Sequence, residues 1–167
     1  MMMVIVAETM LFTTLVGGYL VLRGAGGPWP PPGQPRLPLA LTWVNTGVLL
    51  ASCFTMFRAW GALKTGDAGR LRSSLVGSAL LGSTFLVIQG SEWARLVGFG
   101  MTMSASIYGA TFYALIGLHG VHVLAAVVWL GCVTLRRRAA GADLCAIYWF
   151  YVCGLWAFLF PLVYLIP

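Results

Sequence analysis

The chain has 167 residues, of which 60% are hydrophobic, 13% aromatic and only 8% charged. Soluble domains carry about 25% charged and about 45–50% apolar residues, so this composition excludes a water-soluble globular domain, a disordered chain and a nucleic-acid binder. The formal net charge of +6 comes from 10 Lys and Arg against 4 Asp and Glu, and these cations sit mostly at the ends of apolar blocks, as in integral membrane proteins.

A bilayer core about 30 Å thick is crossed by roughly 20 apolar residues in α-helix. Five blocks reach that length: Met1 to Leu22, Leu39 to Leu63, Leu71 to Ala94, Ile107 to Leu135, and Leu144 to Ile166. Backbone groups cannot stay unpaired in lipid, so uniformly apolar blocks of this length must be helices; barrel strands would be about 10 residues long and alternating. The expectation is an all-α bundle of five transmembrane helices forming a single domain over residues 1–167.

The first block ends at Arg23 and contains Glu8. It lacks a basic leading region and is too long for a signal peptide's apolar stretch, so a retained helix is expected. An acid at bilayer depth costs about 2.5–3.5 kcal/mol on insertion scales. Glu8 must therefore be protonated, paired, or turned towards a wet cavity. Two roles stay open for it: a proton- or headgroup-linked carboxyl, or a neutral acid donating one interhelical hydrogen bond.

The stretch from Gly24 to Pro35 holds Pro28, Pro30, Pro31, Pro32 and Pro35, which lack the amide donor and fix φ, so it cannot be helical. In lipid, helices associate through small residues and a few polar contacts. The second block offers the ridge Gly47-xxx-Ala51-xxx-Thr55-xxx-Ala59, and the third Ser74-xxx-Ser78-xxx-Gly82. The third ends in Gln89 and Glu92 near Arg95, read as an interfacial polar cluster. The fourth carries Ala110-xxx-Ala114, Gly117 and Gly120. Short polar turns, Thr65 to Gly69 and Arg136 to Ala142, join the blocks, and Asp67 and Asp143 read as solvated loop charges.

His119 and His122 on the fourth block lie about one turn apart, so they are expected to project from nearly the same face. A haem held between helices needs a histidine on each, and the chain has 2 histidines, both here; an internal bis-histidine haem is excluded and a structural or hydrogen-bonding role is the main reading. Cys53, Cys132, Cys145 and Cys153 form no CxxC pair and read as buried thiols behaving like small hydrophobes. Nucleophile–base pairs, carboxylate pairs, phosphate loops and complete metal-ligand sets are all missing, so no catalytic centre is expected in this chain.

Orientation follows from the placement of Lys and Arg. Arg58, Lys64, Arg70, Arg72, Arg136, Arg137 and Arg138 fall on one side, against Arg23, Arg36 and Arg95 on the other. The expectation is a cytoplasmic N-terminus and a periplasmic C-terminus, with Trp29, Trp43 and Trp93 at the outer interface and Trp60 at the inner one. The Arg136 to Arg138 run also suits anionic lipid headgroups.

Five patches, in order, resemble subunit III of the haem-copper oxidases. They are Ala7-Glu8-Thr9-Met10-Leu11-Phe12; Trp29-Pro30-Pro31-Pro32-Gly33 followed by Asn45-Thr46-Gly47-Val48-Leu49-Leu50-Ala51-Ser52; Gln89-Gly90-Ser91-Glu92-Trp93; Tyr108-Gly109-Ala110-Thr111-Phe112 through Gly117-Leu118-His119-Gly120-Val121-His122-Val123; and Tyr148-Trp149 leading to Leu155-Trp156. Larger members have seven helices in groups of two and five; this chain resembles the five-helix group, whose usual lipid cleft then needs a wall from another chain.

The resemblance implies a cofactor-free accessory subunit of a respiratory oxidase in the bacterial inner membrane. It would pack beside catalytic subunit I and subunit II, which hold the haem and copper, bind phospholipid, and support sustained turnover and proton uptake. Glu8, Gln89, Glu92, His119 and His122 match the family's polar positions. The last helix departs from the pattern Y-W-H-x-x-D by carrying Phe150 and Cys153, so contacts served by that histidine and aspartate are expected to be absent. Two other readings are a five-helix relative associated with nitric oxide reductase, and a membrane cytochrome or small transporter using Glu8 and the histidines directly.

Overall fold

A computed structural model describes residues 1–35, 37–135 and 141–166. Among these, five helices are long and apolar enough to cross a membrane: α1 (Met2–Gly24), α2 (Leu39–Thr65), α3 (Ala68–Gly98), α4 (Ile107–Leu135) and α5 (Ala142–Leu165). No strand occurs among the described residues. Arg36, Arg136, Arg137 and Arg138, on which the charge count leans, lie outside them.

Local chemistry sets the helix ends. Gly66 closes α2 at φ 73°, in the left-handed region that glycine adopts without strain. Asp67 then caps α3, its side chain accepting from the Arg70 amide at 2.9 Å. This cap starts α3 three residues before the expected Leu71. Ser106 caps α4 in the same way, accepting from the Gly109 amide at 3.0 Å. Helix α4 widens to a π-turn over Tyr113–Gly117, and α5 does so over Pro161–Leu165.

Helices α2 and α3 make the broadest interface, and α3, α4 and α5 close the bundle around it. The third-helix ridge is as expected: Ser74, Ser78 and Gly82 are buried. The second-helix ridge is so only in its second half: Ala59 is buried and Thr55 meets Ser78, while Gly47 and Ala51 face outward. The buried stripe of α2 is Thr42, Asn45, Leu49, Ser52, Met56 and Ala59. Its polar members explain the choice, since a side chain needing partners must turn inward in lipid. Asn45 reaches Phe85 O at 3.2 Å, and Thr55 Oγ1 lies 2.7 Å from Ser78 Oγ.

The indoles of α5 are anchored on the same stripe. Trp149 Nε1 donates to Ser52 Oγ at 3.2 Å and Trp156 Nε1 to Thr46 Oγ1 at 3.0 Å. Cys145 and Cys153 are buried as expected, Cys53 is half-buried, and Cys132 is exposed, which corrects the expectation of four buried thiols. Trp43 is exposed and Lys64 Nζ sits 4.5 Å from the Trp60 ring. Trp29 and Trp93, by contrast, are built into the bundle: Trp29 packs edge-on to Tyr19 and Tyr108, and Trp93 lies over Gly120.

Helix α1 is the loosest element, burying only Phe12 and Tyr19. It leans on the first half of α4 and leaves two lateral grooves beside it. One, of about 440 Å³, runs between α1 and α5 past Thr9, Thr13, Phe150, Tyr151 and Gly154. The other, of about 400 Å³, lies over Glu8, Trp129 and Tyr148.

The packing predicts unequal effects of adding one methyl group. A Cβ on Gly82 would lie 2.3 Å from Trp149 Cη2, a ring held by its own hydrogen bond, whereas one on Gly47 meets nothing within 4 Å. Gly82→Ala is expected to destabilise the fold by about 1–3 kcal/mol and Gly47→Ala to leave it unchanged or slightly more stable. Melting temperatures of the purified variants in one detergent check this, and equal melting of the two would show that the Gly82 seam is not tight.

Candidate functional site

The five polar residues singled out in the sequence fall into three groups. The first is built on Glu8. Tyr148 on α5 donates its hydroxyl to Glu8 Oε1 at 3.0 Å, and His122 Nε2 on α4 stands 3.7 Å from the same oxygen. His122 Nδ1 lies 2.7 Å from Leu118 O. A carbonyl only accepts, so Nδ1 carries a proton; Nε2 then faces Glu8 as an acceptor in the neutral ring and as a donor only in the cation. The other carboxyl oxygen, Glu8 Oε2, is buried without a partner among the described residues. The Glu8 side chain is 16% exposed, at the groove over Trp129. One acid, one imidazole and one phenol thus meet at a lateral opening in the apolar bundle, an arrangement able to hold or pass a proton or to bind a donor group.

The second group joins Gln89 and Glu92 to side chains from α2 and α5. Glu92 is 1% exposed. Thr42 Oγ1 lies 3.2 Å from Glu92 Oε1, and Gln89 Nε2 donates to Glu92 Oε2 at 3.1 Å. Gln89 Nε2 also donates to the Tyr164 hydroxyl at 3.2 Å, and Asn45 Nδ2 donates to Gln89 Oε1 at 3.3 Å. This corrects the interfacial cluster with Arg95. Arg95 is exposed, and the Arg or Lys ion pair found among the described residues is Arg70–Asp67. Glu92 is held inside by neutral donors because α3 extends past it to Gly98 and carries it beneath the ends of α2 and α5.

His119 stands apart from both. It is 1% exposed, stacked on Trp156 at 5.2 Å with Phe85 edge-on at 6.4 Å, and both ring nitrogens lack a protein partner among the described residues. The histidines therefore do not act on one face: His119 turns towards α3 and α5, while His122 turns towards α1, against Phe12 at 5.3 Å. Among the described residues, no group of three His, Cys, Asp or Glu side chains is placed to hold a metal ion.

The family model for cytochrome c oxidase subunit III matches residues 1–166. The chain belongs to the cytochrome c oxidase subunit III family. Cytochrome c oxidase subunit 3 of Synechocystis is 32% identical over 97% of this chain and 72% of its own length. The Bacillus subtilis protein of that name is 30% identical over 95% and 80%. A probable cytochrome c oxidase subunit 3 from Nocardia farcinica is 34% identical over 96% and 83%. Membership makes the chain a multi-pass membrane subunit of a haem-copper oxidase in respiratory electron transport, in a family that itself carries no redox cofactor.

The two departures from the subunit III pattern on the last helix have clear places. Phe150 lines the larger groove and packs against Trp60 at 6.0 Å. Cys153 is 5% exposed, beside Cys53 and Ser52. The groove past α1 is thereby lined by rings and methyl groups, with Thr9 Oγ1 and the Tyr151 hydroxyl, 3.3 Å apart, among its few polar groups.

Sequence reading missed the partners: Tyr148, Tyr151 and Tyr164 on α5, and Thr42 on α2. The available signal was chemical, since a tyrosine inside an apolar span needs an acceptor or donor for its hydroxyl. Gln89 is the hinge of the second group, and Gln89→Leu leaves Glu92, Tyr164 and Asn45 each short of a bond. The expected cost is about 1–3 kcal/mol per orphaned group, read as a large fall in melting temperature, whereas Ser91→Ala on the exposed side of α3 is expected to change it little.

Proposed function

We propose that this chain is the accessory, cofactor-free subunit of a bacterial respiratory haem-copper oxidase, packed against catalytic subunit I and accompanied by subunit II in the inner membrane. In this reading the N-terminus faces the cytoplasm, and the chain sustains the oxidase through phospholipid binding and proton uptake rather than through chemistry of its own. The observation that carries the reading is the Glu8 cluster. A carboxyl at bilayer depth, shared by Tyr148 and His122 and keeping one oxygen unpartnered at a lateral groove, suits proton exchange or a headgroup contact. Its cost in lipid makes an intramembrane acid a functional candidate. The long apolar groove between α1 and α5 fits an acyl chain.

Purification through a tag on this chain in mild detergent tests the assembly. An a-type haem spectrum with a larger catalytic partner is expected; a haem band from the isolated chain, or only b- and c-type haems with a nitric oxide reductase subunit, overturns it. Glu8→Gln tests the cluster: assembly and haem spectra are expected to stay intact, while activity decays faster over many turnovers or bound lipid is lost. Immediate loss of all activity counts against an accessory role.

A further inference from the structure

Where the proline-rich segment meets the ends of α4 and α5, a cavity of about 230 Å³ is lined by Pro30, Gln34, Leu37, Tyr108 and Tyr164. The hydrogen bonds behind its wall have directions set by one backbone group. Phe85 O can only accept, so the Asn45 amide nitrogen faces it, at 3.2 Å, and also donates to Gln89 Oε1. With its oxygen placed there, Gln89 must turn its nitrogen to Glu92 and to Tyr164. The Tyr164 oxygen is then an acceptor, and its own proton has no hydrogen bond among the described residues.

Two more groups on the same cavity are in a matching position. Gln34 Oε1 is buried with no donor, and the Tyr108 hydroxyl makes no hydrogen bond among the described residues. Gln34, Tyr108 and Tyr164, each with an unpartnered polar atom among the described residues, line this one cavity. Buried polar groups are paired with protein or with ordered water. A water needs about 10–15 Å³ of such volume and two to four polar partners, and this cavity offers both.

We propose that the cavity beneath the proline-rich segment is a water-binding vestibule, its cluster held by Gln34, Tyr108 and Tyr164. Tyr164 is joined through the Gln89 amide to Glu92, so the vestibule brings water to within one side chain of the buried acid. Gln89 aligns the two groups and does not itself carry a proton, because its nitrogen only donates. The inference is independent of the Glu8 reading, since the vestibule lies at the opposite end of α1.

X-ray hydroxyl-radical footprinting of the chain in its purified complex, in nanodiscs, tests the vestibule. Tyr108 and Tyr164 are each 2% exposed and Trp149 is 1% exposed, so accessibility from outside predicts no oxidation at any of them. Water in the vestibule predicts oxidation of both tyrosines and none of Trp149, an indole of at least equal reactivity. Leu37→Trp, which fills the cavity from its loop wall, is expected to abolish the tyrosine oxidation while the complex keeps its haem spectrum. Tyrosines as silent as Trp149 mean a dry or acyl-filled cavity and overturn the proposal. So does oxidation that survives Leu37→Trp in the assembled complex, because it then comes from bulk water.

Discussion

Lipid offers a polar side chain no hydrogen-bond partner, so inside this bundle the partners that hold such groups come from neighbouring helices. That constraint orders the α2 seam. Asn45, Thr46 and Ser52 lie on one stripe and take, in turn, the Phe85 carbonyl of α3, the Trp156 indole of α5 and the Trp149 indole of α5. Trp149 brings the bulk that Gly82 of α3 leaves room for. Lipid tails are as apolar as leucine, so burial alone gives little drive for helix association. Close packing against glycine and directed hydrogen bonds carry it instead.

The same constraint separates the two intramembrane acids. Glu8 lies near the start of α1 and Glu92 near the end of α3, helices that run in the same direction, so the acids sit towards opposite membrane faces. Glu8 shares one oxygen between an imidazole and a phenol and leaves the other free beside a groove. Glu92 is enclosed by Thr42 and Gln89 and is 1% exposed. Neutral donors reach both oxygens of Glu92, whereas Glu8 keeps one buried oxygen without a partner among the described residues.

Helix number and extent were legible because span length is a property of the bilayer, and α4 runs over the residues its apolar block marked out. Which face turns inward was harder to read. A helix apolar all round has no hydrophobic direction, and small-residue spacing on α2 pointed to Gly47 and Ala51, which face lipid. The direction was in fact written by Asn45 and Ser52, whose need for partners outweighs the close approach that glycine permits. The histidines show the same limit. Positions three apart on a helix are neighbours, yet a rotation of about 60° between them was enough to send one ring to Trp156 and the other to Glu8. The acids and histidines were visible as exceptions in apolar sequence; their tyrosine partners were not, because a tyrosine reads as apolar until its hydroxyl must be placed.

Helix α1 brings these points together. It carries the acid that costs most to bury, yet contributes only Phe12 and Tyr19 to the core. Much of its attachment to α4 and α5 is therefore polar and local: Glu8 to Tyr148 and His122, Thr9 to Tyr151, and the Tyr19 hydroxyl to Leu162 O at 3.4 Å. Helix α1 has an open groove on either side. The acid is thus mounted on the element that contributes least to the core, and the α2–α3–α5 packing lies behind it. With Phe150 and Cys153 where the family pattern has a histidine and an aspartate, α5 gives α1 few polar holds other than its tyrosines, which concentrates any coupling between α1 and the rest of the bundle on Glu8.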